Sequence, residues 1–273
     1  DKAPAPQPPR GGGGEQPNGS SPRVGSQAHR EKAFRNSYQS MNSMVGLQKV
    51  KDKFNQLIAL AETDAEKRQR GLTVPQRTMH LVFEGEPGTG KSTAADILAQ
   101  AYYGVGLVDN PKPVKIRGRE LVAGFSGQTD ERVREVFEAA KGGVLFVDEF
   151  YSIVNSEQDD FGKEALNAFN DLVEQHRNDT VVILAGYEGD QGGLKYLNRF
   201  NPGIESRFPT RVQFEGYSPK ELGQIAMRRI ESDAKPYNRA ARQALLSAAG
   251  KVQGNGRGVR NLVDEVHRQS ALS

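Results

Sequence analysis

Gly85-Glu86-Pro87-Gly88-Thr89-Gly90-Lys91-Ser92 has the spacing G-x-x-x-x-G-K-S, and it decides how the rest of the chain is read. Glycines at these positions let the backbone fold back, so that successive N–H groups and the positive end of a following helix converge on phosphate oxygens. Leu81-Val82-Phe83 ahead of it reads as the end of a buried strand, and Thr93-Ala94-Ala95-Asp96-Ile97-Leu98-Ala99 behind it reads as a helix. Strand, loop and helix are the context the spacing requires. Glu86, Pro87, Gly88, Thr89, Gly90, Lys91, Ser92 and Thr93 are therefore candidate binding residues for ATP. Lys91 would reach the β- and γ-phosphates, and the Ser92 hydroxyl would ligate Mg2+.

A Gly-rich turn standing alone could be only a tight connection, but a second motif accompanies it. Gly142-Gly143-Val144-Leu145-Phe146-Val147-Asp148-Glu149 is an apolar strand ending abruptly in two carboxylates. Buried strands rarely end in paired acids without a cation or a reaction to serve; the bland alternative is a solvated acidic turn. In a parallel sheet, ligands bind outside the carboxyl ends of the strands, so both acids would face the phosphate loop. Asp148 suits Mg2+, directly or through water, and Glu149 suits the general base that polarises an attacking water.

The 273 residues, 36% of them apolar, suffice for one good core and a smaller second lobe. There is no apolar run of bilayer length and no visible signal peptide, so no membrane span and a cytoplasmic location are expected. The chain has no cysteine, and its histidines (His29, His80, His176, His267) are scattered, which leaves Mg2+ as the only metal implied. Residues 1–40 carry six basic and three acidic side chains, which accounts for the whole net charge of +3. A neutral body with a weakly basic tail gives no strong nucleic-acid footprint.

Residues 1 to about 30 are rich in Pro, Gly, Ser and Gln, with almost no large apolar side chain. Such a stretch cannot offset its ordering entropy, so residues 1–40 are assigned to a disordered linker, and a domain upstream of Asp1 is expected. From Val45 onward, Val50, Phe54, Leu57, Ile58 and Ala61 recur at helical spacing. Strands are expected at 80–83, 114–116, 144–147, 181–185 and 212–214, with helices between them, one carrying Val133, Val136, Phe137 and Ala140. That alternation predicts an α/β fold, a parallel sheet covered on both faces, over residues 41–215. Ser218-Pro219-Lys220-Glu221 has a capping-box layout with Pro at the first helical position, opening a small all-α lobe over 216–273.

The order of phosphate loop, acidic pair, Arg near the last strand and helical lobe with a G-x-G-R segment resembles the AAA+ ATPases, a three-layer P-loop NTPase fold with an α-helical lid. Gly142–Tyr151, Val181–Tyr187 and Asn201-Pro202-Gly203-Ile204-Glu205-Ser206-Arg207-Phe208 are similar to the CbxX/CfqX group of that family, which includes a Rubisco activase, type VII secretion ATPases and a sporulation protein. The resemblance implies a ring, usually hexameric, with ATP at each subunit boundary. Arg207 then matches the arginine finger that acts on a neighbour's γ-phosphate, with Arg199 and Arg211 as nearby competitors. Arg257 matches the lid arginine that contacts the phosphates of its own subunit, with Arg260 as the competitor. Val45 and Gly46 match the segment lining the adenine pocket. Phe125, in Leu121–Gln128, matches the first pore loop, where an aromatic either grips a polypeptide or packs into the neighbouring subunit. Two departures stand out. The fourth strand ends in Ala185-Gly186-Tyr187-Glu188, where the family commonly has Asn or Thr, leaving Tyr187 and Glu188 as alternatives for that role. Phe150 replaces the small residue usual after the acidic pair.

The leading expectation is an ATP-hydrolysing motor that remodels a protein client. A nucleic-acid loader would need a Lys/Arg-rich pore, and the segment before Phe125 offers only Arg117 and Arg119. A nucleotide-dependent scaffold without turnover would not need Glu149 or Arg207.

Overall fold

The structure is a computed structural model that describes residues 25–74, 78–123, 128–189, 192–232 and 239–272. In chain order its elements are α1 (Gln27–Ser43), α2 (Gln48–Gln69), β1 (Leu81–Gly85), α3 (Lys91–Gly104), β2 (Val114–Arg117), α4 (Gln128–Ala140) and β3 (Val144–Asp148). There follow α5 (Asp160–Gln175), β4 (Val181–Gly186), α6 (Leu194–Asn198), β5 (Thr210–Phe214), α7 (Pro219–Ser232), α8 (Arg239–Ala249) and α9 (Asn255–Leu272).

The five strands form one sheet in the order β2-β3-β4-β1-β5, and every pairing is parallel. Alternation along the strands divides the core in two. Leu81, Phe83, Phe146, Ile183, Ala185, Val212 and Phe214 face one layer, packed by α2 and α3. Val82, Leu145, Val147, Val182 and Leu184 face the other, packed by α4 and α5. Val133, Val136, Phe137 and Ala140 are all buried there, as their spacing predicts. The first strand begins one residue later than expected because the imidazole of His80 replaces a ladder bond: its Nδ1 accepts from the Val182 N–H at 3.0 Å.

Helices α7 to α9 enclose a separate core of Leu222, Ala226, Ile230, Leu245, Ala249, Val259 and Val263. The capping box at its start is formed, with the Ser218 N–H donating to Glu221 Oε2 at 2.8 Å and the Glu221 N–H to Ser218 Oγ at 3.4 Å. The lobes meet at Gly216-Tyr217.

The expected linker over 1–40 requires a correction. Residues 27–40 belong to α1, which packs along α3. Ala33, Phe34, Ser37, Tyr38 and Met41 make a narrow stripe at helical spacing within an otherwise polar segment; Ser37 and Met41 are buried and the other three half-buried against the core. Gly104 lets the helices approach, since a Cβ there would sit 2.7 Å from Cβ of Phe34. Arg30 ties the far end down: it donates to the carbonyls of Tyr103 (2.7 Å) and Val108 (3.2 Å), pairs with Asp109 at 3.0 Å and lies over the Tyr103 ring. Residues 1–24 lie outside the described residues, as does the pore-loop candidate Phe125. Among the described residues, no helix is long and apolar enough to cross a membrane.

Candidate functional site

The carboxyl ends of β1, β3 and β4 open into a cleft of ≈ 920 Å³, roofed by the helical lobe. Its size falls in the range of small-molecule sites, ~300–1,000 Å³. The floor is the loop between β1 and α3, where Gly88 has φ +77°. A side chain at Gly88 would be strained and would also strike the lid, since its Cβ would lie 2.6 Å from the Gly254 carbonyl. Helix α3 starts at Lys91 with no side-chain cap, so its first N–H groups face the loop.

Lys91 is folded over the loop, its Nζ donating to the carbonyls of Gly85 (2.5 Å) and Glu86 (2.9 Å). Burial pushes its pKa down and the nearby Arg257 adds to that, while Asp148 and Glu86 pull it up. An arriving polyphosphate would exchange two neutral acceptors for anionic ones, a stronger class of bond. Ser92 and Thr93 line the cleft from the first turn of α3, beside Pro87, Gly88 and Gly90. Two cradle candidates turn their side chains away from the cleft. The Thr89 side chain is buried and donates to the Glu86 carbonyl at 2.8 Å, bracing the loop, while the Glu86 side chain is exposed outside the cleft.

Asp148 and Glu149 both line the cleft. Asp148 Oδ1 accepts from the Glu149 N–H at 3.0 Å, and Glu149 takes a left-handed φ of +50°. That conformation is costly for a residue with a Cβ, and it turns the chain sharply at the end of β3. Phe150 is then buried, its ring filling the space where Gly186 has no side chain, with a Gly186 Cβ only 2.6 Å from Phe150 Cε1. The Phe150 and Gly186 departures from the family pattern are thus one steric adjustment. Tyr151 and Tyr187 stack beside the acids with ring centroids 5.2 Å apart. Burial, the Tyr187 hydroxyl and the charges of Glu149 and Asp148 push the Tyr151 phenol's pKa up.

The lid reaches the loop directly. The Gly256 N–H donates to the Gly88 carbonyl at 3.0 Å, Asn255 Nδ2 to the Pro87 carbonyl at 3.3 Å, and the Tyr217 hydroxyl to the Thr89 carbonyl at 2.9 Å. Asn255 holds a φ of +53°, and its Oδ1 also accepts from the Tyr217 N–H at 3.1 Å. Both Arg257 and Arg260 line the cleft from α9. Arg228 and Arg229 join them from α7, a contribution the sequence reading missed because it depends only on how the lid folds back. Met44, Val45, Ile225 and Val259 supply an apolar wall. Gly46 lies off this wall, in an adjoining cleft where it abuts the Glu221 carboxylate.

Arg207 is not brought to this cleft. It lines a separate one with Thr78, His80, Glu174, Asn178 and Ser206, all of which precede strands and so lie at the opposite end of the sheet. Its Nη1 donates to the Gly203 carbonyl at 2.7 Å, and its Nε lies 3.8 Å from Glu174. Of the competitors, Arg211 is held by Glu84 at 3.1 Å and Glu205 at 2.5 Å, and Arg199 is exposed after α6.

The donor set fits a magnesium nucleotide. Oxygen ligands suit a hard cation, and Ser92 and Asp148 present them next to the phosphate loop. Among the described residues there is no cluster of three or more His, Cys, Asp or Glu side chains that could hold a metal without a ligand's help. That is normal for Mg2+, which keeps waters and substrate phosphates in its shell.

Comparison with known proteins agrees with this geometry. Residues 81–215 match the ATPase family associated with various cellular activities, AAA. The chain is 34% identical over 251 residues to the ESX-1 secretion system protein EccA1 of Mycolicibacterium smegmatis, covering 86% of this chain and 43% of that protein. It is 29% identical over 240 residues to the stage V sporulation protein K of Bacillus subtilis, covering 85% of this chain and 74% of that one. The chain thus spans less than half the length of the secretion-system relatives. By fold it resembles the AAA domain of FIGL-1 in complex with ADP (TM-score 0.59, 15% identity, covering 82% of this chain and 70% of that one) and the Thermotoga maritima RuvB P216G mutant (TM-score 0.56, 19% identity, covering 85% and 66%). With a parallel sheet, a phosphate loop and acidic pair at its carboxyl edge and a helical lid, the chain belongs to the AAA+ ATPases, of the type that includes EccA and stage V sporulation protein K.

Proposed function

We propose that this chain binds ATP with Mg2+ in the cleft, hydrolyses it within a ring of subunits and uses the cycle to remodel a protein client. The observation that carries the reading is Glu149, held by a left-handed backbone at the cleft wall, beside Asp148 and across from Lys91. A carboxylate so placed can orient a water and take its proton. Ser92 and Asp148, the latter directly or through water, would hold Mg2+, which would supply charge neutralisation at the phosphates. Lys91 and Arg257 would bear on the same oxygens, and the wall of Met44, Val45, Ile225 and Val259 would take the base.

Arg207 completes the scheme from outside. Strand β1 has five residues, about 16 Å at strand rise, and separates Arg207 from the loop in its own subunit. No side chain spans that distance, so an arginine finger here serves a neighbour's nucleotide, which supports a closed ring. A protein client is the reading favoured by relatives named for secretion and sporulation and by a body, residues 41–273, whose basic and acidic side chains balance.

The test is phosphate release from mixtures of Arg207→Ala and Lys91→Ala subunits. Each variant alone should be nearly inactive, and mixing should restore turnover at boundaries that pair an intact loop with an intact arginine. No recovery in assembled mixtures would count against the shared site.

A further inference from the structure

Strand β5 pairs Arg211 with Val82 and Gln213 with Glu84, so these four side chains share one face of the sheet. Glu84 is a buried carboxylate directly ahead of Gly85, whose carbonyl accepts from Lys91 at the floor of the nucleotide cleft. Arg211 Nη1 donates to Glu84 at 3.1 Å, and the other arm of the same guanidinium, Nη2, donates to Glu205 at 2.5 Å. Glu205 opens the three-residue turn that ends in Arg207. One side chain therefore joins the entry of the phosphate loop to the turn that carries Arg207.

The local charges call for an arginine. Burial pushes the Glu84 pKa up, Arg211 pulls it down, and the charges of Glu188 and Glu205 push it up again. Glu188 has a neutral partner, Gln213 Nε2 at 2.8 Å, which leaves Arg211 to the other two carboxylates. A planar guanidinium serves two acids at once from separate arms, whereas an ammonium is a point charge on a flexible stem. Within the turn, Ile204 and Phe208 are buried at either side, and the Thr78 hydroxyl donates to the Arg207 carbonyl at 3.2 Å. Half-buried Glu205 lies between these anchors, and its tie to Arg211 adds a connection that runs along the sheet to β1.

We infer that Arg211 is a positioning residue for Arg207: its fork between Glu84 and Glu205 ties the turn that carries Arg207 to the strand entering the subunit's own phosphate loop. This rests on the reading that Arg207 serves a neighbour's nucleotide. A shift of ~1 Å imposed far from the chemistry can cost ~10²-fold in rate, so such a tie is felt in kcat rather than in ATP binding.

Glu205→Gln removes the charge on the side of Arg207 and leaves Arg211 paired with buried Glu84, so the fold should stand. Turnover at saturating ATP should fall ~10-fold with KM unchanged. Arg211→Lys, which keeps the charge and loses the fork, should show a loss of similar size. The decisive measurement is in trans. When Glu205→Gln subunits are mixed with Lys91→Ala subunits, whose fork is intact, phosphate release per intact loop should rise toward that of wild type mixed in the same ratio. A defect confined to a subunit's own site would not be repaired this way. Wild-type turnover in both Glu205→Gln and Arg211→Lys, or a loss that mixing does not repair, overturns the inference. In either case, recovery in the mixture of Arg207→Ala and Lys91→Ala would leave the shared site standing, and its absence would remove that reading as well.

Discussion

The two ends of strand β1 do opposite work. At its carboxyl end the chain gathers Lys91, Ser92, Asp148, Glu149 and the lid arginines around open space. At its amino end Arg207 lies near Glu174, and His80 is buried and serves the Val182 N–H. The first end opens on a cleft, while the second holds a cation bound to the Gly203 carbonyl and only loosely paired with Glu174. On the proposed reading, a single subunit holds both halves of a reaction centre but cannot bring them together. What reads as one list of candidate residues along the chain falls in two clefts at opposite ends of the sheet.

The largest effect should come from disconnecting the halves. Arg207→Ala should bind nucleotide normally and lose ~10³–10⁵-fold in kcat. Full activity of that variant, measured as phosphate release, would dissolve the contrast between the two ends. Next, Glu149→Gln should keep ATP affinity and lose ~10²–10⁴-fold in turnover. Unchanged turnover would remove Glu149 as the base.

The amino end makes a structural prediction of its own. Burial lowers the His80 pKa from 6.5 to about 4. The unfolded chain therefore binds this proton more readily than the folded one, and stability present above pH 6.5 is lost as the pH falls toward 4. The contribution is on the order of 3 kcal/mol, readable as the difference between urea unfolding at pH 7.5 and pH 4.5. His80→Phe should flatten that slope while destabilising at neutral pH, because the Val182 N–H loses its acceptor.

The smallest effect should be at the seam between loop and lid. Asn255→Ala removes bonds to Pro87 and Tyr217 and leaves a left-handed Ala. A loss of ~1–3 kcal/mol in the lid's local stability is expected, seen as faster amide exchange in α9 with α4 and α5 unchanged. Uniform exchange across both lobes would mean that the lid does not open as a separate unit.

Much of this was legible in the chain itself. The Gly85–Ser92 spacing, the abrupt Asp148-Glu149, the alternation of Leu81, Val82 and Phe83 and the Ser218–Glu221 cap are local patterns, and local patterns survive translation into a fold. Other features were not local. Helix α1 hides five inward residues in a polar stretch, and its stripe gains meaning only against Gly104 of α3. Arg228 and Arg229 enter the cleft because α7 folds back over it, while Gly46 leaves it because the backbone turns left-handed there. The oddity of Phe150 was visible in the sequence, but its explanation, Gly186, lies on another strand.

The clamp of Arg30 on Tyr103, Val108 and Asp109 has a mechanical consequence. Helix α3 is 14 residues long, about 21 Å, with Lys91 at one end and this clamp at the other. Helix α1 is thereby riveted to the distal tip of a stiff beam whose proximal tip opens on the loop Gly85–Ser92. A displacement of α1 would reach that loop as torque on α3, with no flexible connection between to absorb it.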